Sequence, residues 1–108
     1  MRKKYKGFSK EQKYLIKKRD NNECFFCENK KNLTVAHIFV WRKDGGKPVE
    51  ENGLTLCEEC HQQMDFGIGI TVEQQIDMLK QCKQYLLLYY KKEIKEENLK
   101  ILSKKRRN

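Results

Sequence analysis

Two pairs of cysteines are the residues of this chain whose type and spacing indicate chemistry most directly. Cys24 and Cys27 are separated by two residues, and so are Cys57 and Cys60. Two such turns can supply the four thiolates of a tetrahedral zinc site, which leaves no open coordination position and is therefore structural. The simpler alternative is four unrelated thiols in a small core. The fifth cysteine, Cys82, lies on an apolar helical stripe, and we expect it to be a small core residue.

Four polar residues near the cysteine pairs could carry a reaction. A histidine at the end of a strand, His37, can serve as a general base near neutral pH. His61 and Asp65 are four residues apart, so on a helix they share one face and can hold a divalent cation. Asn52 can hydrogen-bond the backbone and fix the loop between the strands. Together they describe a one-metal phosphodiesterase site, in which the cation polarises the phosphate while the base deprotonates water.

Each of these four residues also has a simpler structural interpretation. His37 can be a hydrogen-bonded structural histidine, and His61 a spare zinc ligand. Asp65 can be a carboxylate on a helix surface, and Asn52 a turn residue. Each simple interpretation is the better one for its residue alone, but their joint occurrence around two cysteine pairs favours a site.

Local signals predict the elements that would position these residues. Ser9 and Thr71 each begin a capping box, which is typical of a helix start, and Gly67 is a helix stop. The predicted elements are a helix over 9–20, strands over 33–38 and 54–56, a short helix from Glu58 towards Asp65, and a long helix after Thr71.

Helical spacing also predicts which side chains of the two long helices face the core. In the first helix these are Tyr14, Leu15 and the aliphatic stem of Lys18. In the long helix the predicted apolar stripe contains Val72, Ile76, Leu79, Cys82, Leu86 and Tyr89.

The composition favours a polyanionic partner. The 108 residues carry 24 Lys and Arg against 15 Asp and Glu, a net charge of +9, although a merely soluble basic surface is the simpler explanation. We expect one domain, a cytoplasmic location and reduced thiols, because no export signal follows the basic start and no apolar run approaches the ~20 residues of a membrane span.

The stretch from Cys24 to about Gly69 resembles the HNH endonuclease family. The resemblance rests on Ala36-His37-Ile38, on Gly45-Gly46, and on the segment from Glu51 to His61 that contains Asn52. It implies an α+β fold: a small ββα-metal (His-Me finger) core braced by the four-cysteine zinc site, with an N-terminal helix and a C-terminal helical extension. It also implies that His37 is the general base, Asn52 the loop-fixing residue and His61 a ligand of Mg²⁺ or Mn²⁺.

One residue departs from the pattern of this family. Many members carry Asp or His immediately before the base as a second metal ligand, whereas this chain has Ala36. Ala36-His37-Ile38 followed by His61-x-x-x-Asp65-x-Gly67 is similar to a subgroup in which the aspartate on the helix supplies the missing ligand. The expected activity is therefore hydrolysis of DNA phosphodiester bonds to leave a 5′-phosphate, and the alternative is a catalytically decayed, zinc-stabilised module that binds nucleic acid.

The expected organisation is a basic mobile arm over 1–8, a helix over 9–20, the HNH core over 21–70, and a helical extension with a basic tail over 71–108. The expected contacts with the DNA backbone come from the basic termini and from Arg42, Lys43 and Lys47. A monomer and a homodimer through the long helix are both compatible with the sequence. A thiol redox protein is the weakest alternative, since one Cys-x-x-Cys pair would suffice and the thioredoxin-like alternation of strands and helices is missing.

Overall fold

The structure is a computed structural model that describes residues 7–41 and 45–91. In chain order the elements are α1 (Lys10–Arg19), β1 (Leu33–His37), a single 3₁₀ turn (Glu50–Asn52), β2 (Gly53–Cys57), α2 (Glu58–Phe66) and α3 (Val72–Tyr90). The described residues thus form a small α+β fold with a two-stranded antiparallel sheet and three α-helices. The predicted fold class is confirmed.

Helix α1 begins at the predicted capping box. The backbone N–H of Gln12 donates to the Ser9 hydroxyl at 3.1 Å, and the Ser9 N–H donates to the Gln12 side chain at 2.9 Å. The buried residue of this helix is Ile16, whereas Tyr14 is 61% exposed and Leu15 is also exposed. The prediction of the inner face was therefore wrong, because the sheet contacts a side of the helix that the spacing of Tyr14 and Leu15 did not indicate.

Strands β1 and β2 pair in a register that sets Leu33 against Cys57 and His37 against Gly53. All of β2 is buried, since α1 packs on the sheet as well as α2. Gly53 allows the close approach of α1, because a Cβ there would lie 2.7 Å from Cδ1 of Ile16 and 2.8 Å from Cζ of Phe8. Gly53, which pairs with His37 across the sheet, therefore leaves room for the Phe8 ring.

Helix α2 follows β2 directly and ends at the predicted glycine. Gly67 has the left-handed backbone conformation (φ 67°), which closes the helix with a hydrogen bond from its N–H to the Gln63 carbonyl. The Gln75 side chain of α3 then donates to the Met64 carbonyl at 2.7 Å. Together these bonds fix the C-terminal end of α2, where Asp65 lies.

Helix α3 begins at the predicted Thr71 capping box. Cys82 and Leu86 are fully buried in the core, which agrees with the expected role of Cys82. Val72, Ile76 and Tyr89, however, are 69%, 60% and 51% exposed, so the predicted stripe was wrong at both ends of the helix. The core contacts of α3 come from its middle and C-terminal turns. The apolar pattern of the helix therefore includes residues that do not pack on the core.

A buried ion pair joins α1 to β2 and α3. The Arg19 guanidinium binds both carboxylate oxygens of Asp20, at 2.7 and 2.9 Å. Asp20 also accepts from the Thr55 backbone N–H and from the Tyr85 hydroxyl, both at 2.9 Å. Burial, and then the charge of Asp20, raises the pKa of Tyr85 to about 12. Because every partner is hydrogen-bonded, this pair fixes how α1 lies on the sheet.

Arg19 also bonds the backbone around Asn52. It donates to the backbone carbonyls of Glu50 and Gly53, at 2.9 and 2.7 Å, on either side of Asn52. Helix α1, which lies outside the predicted HNH core over 21–70, thus supports the segment that contains Asn52 and Gly53.

Candidate active site and metal centre

The four predicted zinc ligands come together in the structure. Their Sγ atoms all lie within 4.8 Å of one another, and those of Cys27 and Cys57 are 3.6 Å apart. Tetrahedral thiolates at ~2.3 Å from zinc are ~3.8 Å apart, so the cluster has the size of a zinc site. Cys24 and Cys27 lie in the turn after α1, Cys57 ends β2, and Cys60 lies in the first turn of α2. A metal here joins the turn, the sheet and the helix.

Within residues 7–41 and 45–91, this is the one group of three or more histidine, cysteine or acidic side chains close enough to hold a metal in common. His61 is not a member of the group, although it follows Cys60 in sequence. The structure therefore disfavours the interpretation of His61 as a spare zinc ligand.

His61 and Asp65 form a half-buried pair on α2. Nε2 of His61 lies 3.0 Å from Oδ2 of Asp65, and Nδ1 lies 2.8 Å from the hydroxyl of Thr34. The Thr34 hydroxyl donates its one proton to the Leu56 carbonyl at 2.8 Å, so it must accept from His61 Nδ1–H. This leaves the Nε2 lone pair directed at the carboxylate when the ring is neutral.

A neutral histidine and a carboxylate at this distance need a proton or a cation between them. Two cis ligands at ~2.1 Å from an octahedral cation are about 3.0 Å apart, which is the observed separation of Nε2 of His61 and Oδ2 of Asp65. Oδ1 of Asp65 is buried and has no hydrogen-bonding partner among the described residues. The donor set therefore fits one divalent cation.

His37 lies at the end of β1 beside the same pair. Its ring packs against that of Phe8, with centroids 4.5 Å apart. His37, His61 and Asp65 all line one open pocket of about 540 Å³. The structure thus brings the predicted base and the predicted cation ligands to a single concave surface.

Asn52 is fully buried and organises the loop after β1. Its Oδ1 accepts from the backbone N–H groups of Phe39 and Val40, at 2.8 and 3.1 Å. Its Nδ2 donates to the carbonyls of Val40 and Lys47, at 2.8 and 3.2 Å. The amide therefore ties both sides of the loop to the start of β2, outside the pocket.

Ala36 lies on the face of β1 opposite to His37, because side chains alternate along a strand. It is 1% exposed and packs in the same apolar cluster as Cys60 and Met64 of α2. The position before His37 therefore faces the core with a methyl group, so it could offer no third ligand to a cation on His61 and Asp65.

Several residues that line or support the pocket were missed from the sequence. Thr34 does not line the pocket, but its hydroxyl bonds Nδ1 of His61 and so sets the tautomer, and no local pattern indicates it. Lys13 reaches the pocket from α1, 24 residues before His37, and no local pattern indicates it. The other lining residues that were not predicted are Gly7, Phe8, Val35, Trp41 and Phe66.

The predicted DNA contacts are only partly within the described chain. Arg42, Lys43 and the basic segments over 1–6 and 92–108 lie outside the described residues. Lys47 is half-buried and does not line the pocket. Among the residues that do line it, Lys13 supplies the cationic side chain.

Comparison with known proteins gives one result. The model of the HNH endonuclease family matches residues 24–65, which include both cysteine pairs, His37, Asn52, His61 and Asp65. The resemblance identified from the sequence is thereby confirmed. No curated protein and no solved structure matches the chain. None of the helices in the described part of the chain is long and apolar enough to cross a membrane.

Proposed function

On the premise that residues 24–65 form an HNH endonuclease domain, we propose that this protein hydrolyses phosphodiester bonds in DNA with one exchangeable divalent cation. The observation that carries the proposal is the shared pocket of His37, His61 and Asp65. His61 and Asp65 would hold Mg²⁺ or Mn²⁺, separately from zinc on the four cysteines. The alternative functions of a small zinc-binding domain do not require these three side chains on one concave surface.

The cation, His37 and Thr34 each have a different role in the proposed reaction. When bound, the cation polarises the phosphate and stabilises the leaving oxygen. His37 takes a proton from water, whose oxygen then forms the new bond to phosphorus. The bond from phosphorus to the 3′ oxygen breaks, which leaves a 5′-phosphate and, after protonation from solvent, a 3′-hydroxyl. Thr34 keeps the His61 ring oriented for the cation through Nδ1.

The charge distribution supports a DNA substrate. The chain carries a net charge of +9, which favours phosphate contacts and salt-sensitive binding. Lys13 would contact the phosphate in the pocket, while Arg42, Lys43, Lys47 and the basic termini would contact the backbone beyond it. Such contacts orient the DNA and carry little sequence information.

A second candidate is a catalytically decayed module that binds nucleic acid without cutting it. The observation that favours it is Ala36, which places a buried methyl group where many members of the family have a metal ligand. Asp65 weighs against it, because its carboxylate lies 3.0 Å from Nε2 of His61 and its buried Oδ1 has no hydrogen-bonding partner among the described residues, which a bound cation would supply.

Nicking of supercoiled plasmid tests the proposal against this second candidate. Zinc-loaded protein is incubated with plasmid in Mg²⁺, in Mn²⁺ and in a chelator of divalent cations, and binding is measured in parallel by gel shift. We expect nicked circles in at least one cation and none in the chelator, with nicks that DNA ligase reseals because they carry 5′-phosphates. Binding without cleavage in every cation, on the plasmid and on single-stranded DNA alike, would instead establish the decayed module.

A further inference from the structure

An aromatic side chain stands at the edge of the pocket, next to the proposed cation site. Phe66 is the last residue of α2, directly follows Asp65 and lines the pocket, yet it is 74% exposed. Trp41 lines the same pocket and is half-buried. The pocket therefore combines cation ligands and a lysine with two accessible aromatic rings.

Packing against the core does not explain why an aromatic ring stands at position 66. It lies outside the apolar core cluster and its associated side chains. The end of α2 is already fixed by the left-handed Gly67 and by the bond from Gln75 to the Met64 carbonyl. Exposed apolar residues are common singly, but an exposed aromatic ring at the edge of a pocket that also contains charged side chains is the feature that single-stranded nucleic acids use for stacking.

The arrangement of charges and rings fits a nucleotide. The pocket volume of about 540 Å³ is in the ordinary range for small-molecule sites. Lys13 and a cation on His61 and Asp65 would hold a phosphate. Phe66 lines the same pocket and directly follows Asp65 in sequence, so its ring would lie beside the cation site. In a duplex the faces of the bases are covered by their neighbours, so such a ring is useful only to a strand whose base is unstacked.

We propose that this site acts on DNA in which the base next to the scissile phosphate is unstacked, as in a single strand or at a bulge, and that Phe66 stacks on that base. The inference rests on the proposed function for the position of the phosphate. A base must leave a duplex at a cost of a few kcal/mol before it can stack on Phe66, whereas a single strand presents it directly. Single strands and bulges are therefore the preferred substrates, and intact duplex is a poor one.

Cleavage of one oligonucleotide sequence in three forms tests the inference. End-labelled DNA is supplied as a single strand, as a duplex, and as a duplex with one unpaired nucleotide, and kcat/KM is measured for each. We expect wild type to favour the single strand and the bulge, with cuts beside the unpaired nucleotide. Stacking on one base corresponds to about 5- to 150-fold in rate or affinity, and Phe66→Leu should lose that factor in the ratio of kcat/KM on these two forms to kcat/KM on duplex.

Matched variants separate stacking from a loss of apolar surface. Phe66→Tyr keeps the ring and should keep the preference. Ile68→Ala removes an exposed apolar side chain two residues after Phe66 that does not line the pocket, and it should leave the preference unchanged. Equal cleavage of all three forms by wild type, or an equal loss on all three in Phe66→Leu, would overturn the inference and leave the nuclease assignment standing.

Binding without chemistry gives a second, independent readout. Trp41 is the one tryptophan of the 108 residues, so tryptophan emission reports on the pocket. In the His37→Ala variant, the single strand should quench this emission more strongly than the duplex, and Phe66→Leu should weaken the binding of the single strand. If wild type cuts no form of DNA, the nuclease proposal fails, and equal quenching by strand and duplex would overturn the stacking inference separately.

Discussion

Replacement of Cys27 by Ser is expected to remove zinc from the protein and to unfold most of it. Structural zinc contributes an apparent ~10–16 kcal/mol of binding free energy in zinc-finger peptides, whereas whole domains are stable by only ~5–15 kcal/mol. Cys27 is the informative ligand because its side chain is exposed, so the substitution removes little core packing. Zinc content by atomic emission and thermal unfolding by circular dichroism measure the two effects.

The fifth cysteine supplies the control. Cys82 is fully buried outside the four-cysteine cluster, and burial raises the pKa of its thiol, which keeps it protonated. Cys82→Ala should keep zinc in full and lower stability only by the ordinary cost of a small cavity. A Cys27→Ser protein that melts with wild type, or a folded wild type that holds no zinc, would contradict the structural role assigned to the cluster.

Replacement of His37 by Ala is expected to abolish plasmid cleavage. Loss of a positioned general base lowers rates by about 10²- to 10⁴-fold, which brings a nicking assay to background. His37 is not a member of the cysteine cluster and lies at the end of β1, so zinc content and the fold should be retained. Single-turnover cleavage in saturating cation measures the effect on the chemical step.

A second variant at the same position separates lost chemistry from lost packing. His37→Ala also removes the ring that Phe8 packs on, whereas His37→Gln fills more of that space and still cannot act as the base. We expect both to be inactive, and we expect added imidazole to restore part of the rate to the alanine variant only. Cleavage by His37→Ala at the wild-type rate would show that another group activates the water.

The features that could be predicted from the sequence are local ones. The capping boxes at Ser9 and Thr71 and the stop at Gly67 each depend on residues a few positions apart, and all three are found where they were expected. The cysteine pairs are equally local, because each pair is carried by one turn. Their convergence from two distant segments followed from the demand of zinc for four ligands.

The features that were missed depend on how the elements pack. Which side of α1 is buried depends on the sheet, so Ile16 was overlooked in favour of Tyr14 and Leu15. The contribution of Lys13 to the pocket depends on the same packing. The bonds of Asp20 to Thr55 and Tyr85 join residues 35 and 65 positions apart, and no local pattern around Asp20 indicates them.

The proposed mechanism requires a cation on His61 and Asp65 that is distinct from zinc on the cysteines. Its most direct test is the Mn²⁺ dependence of the nicking rate for wild type and for Asp65→Ala, with zinc content measured in the same samples. We predict equal zinc in both proteins and a half-saturating Mn²⁺ concentration raised at least ~10-fold in the variant, since even outer-shell changes cost ~10- to 100-fold in metal affinity. An unchanged Mn²⁺ dependence in Asp65→Ala, at equal zinc content, would contradict this requirement.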